Sequence, residues 1–161
     1  MRKDYRFQSI GIIHTQYDQK SGVPIQGIFR PDSQGIVDVF PEYEAGLADI
    51  DGFSHLILLY VFHQSKGFDL KVKPYMDDAE HGLFAMRAPK RPNPIGLSVV
   101  RLVKVEGRHL RIAEADMMDG SPLLDIKPFV PQFDSRENVR VGWMGPHFEK
   151  GDHRRISDDR F

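Results

Sequence analysis

Short apolar runs separated by glycine and proline, with little helical pattern between them, limit this chain to a mainly β fold. Seven runs are expected to be strands: Phe7–His14, Ile36–Phe40, Phe53–His63, Gly82–Met86, Leu97–Val105, Leu110–Ala115 and Leu123–Ile126. Leu56 to Phe62 is apolar without alternation, so both faces of that strand are expected to be covered. Glu106-Gly107-Arg108 reads as a hairpin turn and Asp119-Gly120 as another tight turn. Residues 15–35 hold several turn formers and are expected to make a long irregular segment. Short helices are expected at Pro41–Ala48, which opens with proline and acids, and from Ser135 to Asn138. The pattern favours an all-β barrel or sandwich over a doubly wound fold.

A length of 161 residues fits one domain with a real core, here residues 1–148, followed by a charged, frayed tail at 149–161. Cysteine is absent, which removes disulfides and thiolate chemistry and suits a reducing compartment. The N-terminus lacks the apolar core of a signal peptide, and the longest apolar run is far too short to cross a bilayer. A cytoplasmic protein without a membrane segment is expected. A net charge of −1 argues against coating nucleic acid by bulk charge but leaves room for a local basic patch.

The most unusual stretch is Arg87 to Ser98, with Arg91-Pro92-Asn93-Pro94-Ile95-Gly96 at its centre. Proline fixes its own φ and pushes the preceding residue out of the α region, so Arg91 and Asn93 are expected to be extended. A stiff loop that holds a guanidinium and a carboxamide before a ligand arrives suits recognition; the plainer reading is a rigid turn with a solvated arginine. Other chemistry is sparse. None of the 14 glycines is followed by another two positions later, so no dinucleotide fingerprint exists, and no Walker A sequence is present. His55 and His63 lie eight apart without a third ligand, so no metal site is expected. Asp116, Asp119 and Asp125 gather around a turn, either as turn chemistry or as acceptors for a ligand's hydroxyls or amines. His63-Gln64, at the end of an apolar strand, is well placed to line a pocket.

In order along the chain, Phe53-Ser54-His55-Leu56, Val61-Phe62-His63-Gln64, Arg87, Arg91–Gly96, Asp119-Gly120-Ser121-Pro122 and Asp125-Ile126-Lys127-Pro128 together resemble the TsaA-like (TrmO) family of tRNA (adenine-N-6)-methyltransferases. The resemblance runs from about residue 6 to about residue 145. It implies a single compact β-barrel, here about seven short strands with one or two short helices, and homodimers with S-adenosylmethionine bound near the subunit interface. It also implies methylation of the exocyclic nitrogen of threonylcarbamoyl-adenosine, beside the anticodon of tRNA; longer bacterial members continue into an additional C-terminal region. Carried over position by position, the cofactor pocket involves Gln26, Gly27, Ile28, His63, Gln64, Arg87, Leu97 and the turn Asp119, Gly120, Ser121, Pro122 and Leu123. Leu97 would otherwise be read as core. Arg91 and Asn93 are expected to orient the acceptor, and Asp125 or Asp116 to take its proton. Two readings stay open beside this one: a protein that binds S-adenosylmethionine without catalysis, and a methyltransferase for a different RNA or a small molecule.

Overall fold

The computed structural model describes residues 3–149 and 156–158. Its strands are β1 (Gly11–Thr15), β2 (Gln34–Val39), β3 (His55–Val61), β4 (Lys71–Val72), β5 (His81–Gly82), β6 (Ile95–Glu106), β7 (His109–Ala113) and β8 (Ser121–Pro128). Six of them close a barrel in the order β1-β2-β7-β6-β3-β8, with β8 returning to β1; β4 and β5 form a separate two-stranded ribbon. Every barrel pair is antiparallel. Alternate residues of each strand enter the interior, as a closed sheet requires. Ile13, Val37, Val39, Leu56, Leu58, Val100, Leu110, Ile112 and Leu123 fill it almost without solvent exposure.

The mainly β barrel of the sequence reading is present, with six barrel strands and two short outliers. The β6–β7 hairpin turns at Gly107, whose φ of 60° is the left-handed conformation glycine adopts without strain. Three local expectations need correction. β3 is covered on one face only: Leu56, Leu58 and Tyr60 are buried while Ile57 and Leu59 are half-buried, because a single barrel offers each strand one interior. Gly82–Met86 is not a strand. After β5 the chain turns through one 3₁₀ turn, Leu83–Ala85, and Leu83, Met86 and Ala88 pack a small second core with Val72, Tyr75 and Trp143. The short helix expected at Pro41–Ala48 is present as a 3₁₀ helix, Pro41–Leu47, whose Tyr43 and Leu47 pack against the barrel core. The helix expected from Ser135 ends there instead: α1 is Pro131–Asp134, started by its proline, and α2 is Gly145–Glu149.

Residues 150–155 and 159–161 of the charged tail lie outside the described residues. The part between them does not fray. Ile156 bridges Pro24, and the Ser157 amide donates to the Val23 carbonyl at 2.8 Å. Ser157 Oγ accepts from the Val23 amide at 3.0 Å.

β3 and β6 meet at Tyr60 and Gly96, which are register partners. A Cβ on Gly96 would overlap the Tyr60 ring. Overpacking a core costs about 1–3 kcal/mol. Gly96→Ala is therefore expected to lower the urea midpoint by that amount of stability; a midpoint equal to the parent's would show that the ring moves aside freely.

Candidate functional site

A six-stranded barrel is filled by its own side chains, so a ligand site must be built on its end. The end of β3, the start of β6 and the approach to β8 emerge on the same side of this antiparallel barrel. Loops 23–29, 62–65, 74–76 and 86–91, with residues 141–148, wall in a cavity of about 790 Å³ there. Its lining is mostly apolar, with methionines 76, 86, 117, 118 and 144, and a few polar groups converge on it. That volume and composition fit a small organic ligand.

Among the described residues, the cavity's one carboxylate is Asp116. It follows Ala115, which is fixed by two bonds to the early loop: the Ala115 amide donates to the Ser33 carbonyl at 3.1 Å, and Ser33 Oγ donates to the Ala115 carbonyl at 2.6 Å. One carboxylate oxygen accepts from the Ser98 hydroxyl and the other from the Gly27 amide at 2.8 Å. Ser98 Oγ lies 3.1 Å from the Tyr60 hydroxyl, which must donate because the serine proton is committed to Asp116. Burial pushes the Asp116 carboxyl up from 3.8 to about 6; Ser98, the Gly27 amide and the charge of Arg87 oppose that rise. Burial, reinforced by the charge of Asp116, holds the Tyr60 phenol far above its ordinary range. Gly27 must be glycine here, since a Cβ would overlap the Glu114 carbonyl.

At the rim, Arg87 is exposed and its guanidinium donates to Gln26 Oε1 at 3.0 Å. Ser65 also lines the cavity, and its hydroxyl is the one buried side-chain polar atom without a hydrogen-bond partner among the described residues. Leaving such a group unpaired costs about 1–3 kcal/mol, which a ligand's polar group would relieve. The far wall comes from Val141, Trp143, Met144 and Phe148. Asp77 pins it, 2.9 Å from His81 Nε2 and 3.4 Å from His147 Nε2. The bond from His81 is the main reason the Asp77 carboxyl is held well below the usual range. Trp143 stacks on His81 at 4.3 Å and donates Nε1–H to the Ala85 carbonyl at 2.9 Å.

Of the residues nominated from the sequence, Gln26, Ile28, His63, Gln64, Arg87, Leu97, Ser121 and Arg91 line the cavity, as does Asp116. Leu97 is 44% exposed, not core. Gly27 sits behind the wall, bonded to Asp116. Asp119 and Gly120 fix the turn rather than line the space: Asp119 Oδ1 accepts from the Thr15 amide at 3.0 Å, and the Gly120 amide donates to the Ile13 carbonyl at 2.9 Å. Gly120, at φ 76°, still faces His63, since a Cβ on it would lie 4.0 Å from Nε2. Pro122 pairs with Ile12 in the barrel wall, and Leu123 is fully buried in the core.

Arg91 and Asn93 do not converge. The Arg91 guanidinium turns back onto its own loop, where one nitrogen donates to the carbonyls of Met86 at 2.9 Å, Ala88 at 3.3 Å and Leu83 at 3.4 Å. Asn93 is exposed and away from the cavity. Asp125 is also outside, 2.7 Å from Lys127 Nζ. Among the described residues no group of three metal-ligating side chains occurs, and no helix is long and apolar enough to cross a membrane. Tyr60, Ser98 and Ser65 were not nominated from the sequence; each is an ordinary strand or loop residue there, and only the β3–β6 register and the cavity wall single them out.

The buried carboxyl has a measurable consequence. Its value is higher folded than unfolded, so between pH 4 and 6 this carboxyl holds more proton in the folded state and its contribution to stability falls as pH rises. Above about pH 6 the penalty is constant, on the order of 3 kcal/mol at 1.36 kcal/mol per pH unit. The stability difference between Asp116→Asn and the parent should therefore shift in favour of the variant across pH 4–6 and level off above. Urea titrations over that range that ran parallel for the two proteins would contradict a buried, ionised Asp116.

Comparison with known proteins places this geometry. A family model described as the tRNA-methyltransferase O N-terminal domain matches residues 12–135. A probable S-adenosyl-L-methionine-binding protein of Pyrococcus abyssi is 54% identical over 96% of this chain, which covers 84% of that protein. A mouse tRNA (adenine(37)-N6)-methyltransferase is 36% identical over 83% of this chain, which spans 33% of that longer protein. The crystal structure of TrmO from Pseudomonas aeruginosa superposes with a TM-score of 0.74 at 34% identity, over 88% of this chain and 63% of that one. The chain belongs to the tRNA-methyltransferase O (TrmO, TsaA-like) family.

Proposed function

We propose that this protein is an S-adenosylmethionine-dependent methyltransferase that acts on tRNA, at the exocyclic nitrogen of threonylcarbamoyl-adenosine next to the anticodon. The observation that carries the reading is one buried carboxylate and one exposed guanidinium facing the same mostly apolar cavity, in a chain of this family. The cavity suits S-adenosylmethionine by size and by chemistry: apolar walls for the adenosine and thioether carbons, and a cation at the rim for the carboxylate. When bound, that cofactor supplies an electrophilic methyl group.

The chain's own residues then divide the work. Arg87, oriented by Gln26, grips the methionine carboxylate, for which a guanidinium offers paired donors. The Ser65 hydroxyl donates to a polar atom of the cofactor. Asp116 takes the proton shed by the methylated nitrogen, because it alone of the two candidate acids borders the cavity and its burial brings it into the range of a general base near neutral pH. Ser98 and the Gly27 amide aim that carboxylate, and Tyr60 keeps its own proton and fixes Ser98. Arg91 is a positioning residue: by tying the carbonyls of residues 83, 86 and 88 together it sets the direction of Arg87. Asn93, exposed on the proline-locked loop outside the cavity, contacts the part of the acceptor tRNA that stays outside it. The Asp119–Leu123 turn sets the barrel end against which the pocket forms.

Ile28, Ile95 and Leu97 line the cavity yet are 73%, 40% and 44% exposed. That apolar rim supports a homodimer in which a second copy covers the cavity mouth. Light scattering should report twice the 18.5 kDa chain mass; a monomer at micromolar concentration would remove the dimer. The compartment of action is the cytoplasm, where tRNA and a cysteine-free chain both belong.

The decisive test of the activity incubates the protein with labelled S-adenosylmethionine and tRNA from cells lacking the corresponding gene, then digests to nucleosides. Label is expected on methylated threonylcarbamoyl-adenosine. Cofactor binding without label in any nucleoside would leave a binding protein instead. Arg87→Ala should weaken cofactor binding several-fold by calorimetry. Asn93→Ala should leave it unchanged and lower turnover, and full turnover in that variant would remove Asn93 from the acceptor site.

A further inference from the structure

Beside the main cavity lies a second, open pocket lined by Lys20, His63, Gln64, Lys66 and Lys90. Three of its five residues are lysines and none is acidic, in a chain whose 22 lysines and arginines are offset by 23 acids. The pocket therefore carries a local excess of positive charge on a chain whose net charge is −1. The three lysines come from three separate segments: the early irregular loop, the loop after β3, and the proline-rich loop before β6. Lys20, His63 and Gln64 line both pockets, so the cationic one opens onto the larger one.

This placement has a physical reading. A base that enters the cavity leaves the phosphates on either side of its nucleoside at the mouth, in solvent. Ammonium groups on long flexible stems suit such phosphates as point charges, whereas reading a base edge favours a planar fork. Phosphate contacts of this kind fix the register of a nucleic acid without reading sequence. They also let a protein with a net charge of −1 hold a polyanion through a local field.

We propose that Lys20, Lys66 and Lys90 form a phosphate-binding site for the RNA backbone that flanks the nucleotide held in the cavity. The proposal rests on the cavity being the methyl-transfer site. Its ligand is the phosphodiester of a polynucleotide, since the lysines stand on three different segments around the mouth and no single loop cradles one small anion. Gln64 and His63 separate this site from the cofactor space and belong to both.

The test compares the full-length parent with Lys66→Ala/Lys90→Ala; Lys20 is left intact because it also lines the cavity. Binding of unmethylated tRNA is followed by filter retention from 50 to 300 mM salt, and cofactor affinity by calorimetry. Each lost phosphate contact should reduce the slope of log affinity against log salt by about 0.7–0.9. The double variant is therefore expected to bind RNA about tenfold more weakly at low salt, with a slope shallower by between about 1 and 2, and to bind the cofactor as the parent does. Lys66→Arg/Lys90→Arg should restore both RNA affinity and slope. Parent-like RNA affinity and slope in the alanine variant would overturn the proposal. So would equal displacement of RNA by millimolar inorganic phosphate and by competitor tRNA at matched phosphate concentration, which would mark a small-anion site. A parent that binds no cofactor would defeat the methyltransferase reading alone, because RNA retention and its salt slope measure the lysines independently.

Discussion

The narrowness of a six-stranded barrel governs the rest of this molecule. Side chains such as Ile13, Leu58, Leu110 and Leu123 leave no room inside for a ligand. Any site has to be assembled from loops at one end, and loops are held by hydrogen bonds and small packing clusters more than by a common core. That explains why so many of the conspicuous polar residues serve architecture. Arg91 gathers three carbonyls of its own loop, Asp119 anchors the chain to Thr15, and Asp77 pins the far wall through two histidines.

Asp116 joins these layers. Its oxygens take one bond from β6, through Ser98, and one from the early loop, through Gly27. A buried carboxylate is an expensive tie, because desolvation disfavours its charge. The bonds that offset this cost also aim the group, and the residual rise in its affinity for protons suits it to hold and release one in the cavity. The side chain that ties the early loop to the barrel end is also the one that the proposed function uses as the base.

Different parts of the molecule were legible in the sequence to different degrees. The alternation of short apolar runs with Gly107, Gly120 and the prolines announced a β fold, the β6–β7 hairpin and the turn before β8. His63, Gln64 and Arg87 were legible from the motifs that hold them and Gln26 only through the family resemblance, and all four meet at the cavity. The strand expected at Gly82–Met86 failed because apolar residues that pack a local cluster under a 3₁₀ turn look the same as strand residues one at a time. The double coverage expected for β3 failed because apolar composition does not say how many layers a fold has.

The sequence by itself determined the punctuation: where the chain must turn, where it is stiffened by proline, and which residues are chemically equipped to bind. Only the tertiary structure decided how those groups are used. Arg87 and Arg91 are four residues apart in one loop, yet one faces the cavity rim and the other is consumed by carbonyls. Asp116 and Asp125 flank one turn, yet one lines the cavity under the hold of Ser98 and the other lies outside beside Lys127. The reason is that burial and partnership are properties of strand register and barrel closure. These bring residues dozens of positions apart, such as Gly27 and Asp116, into contact, and no local pattern records that choice.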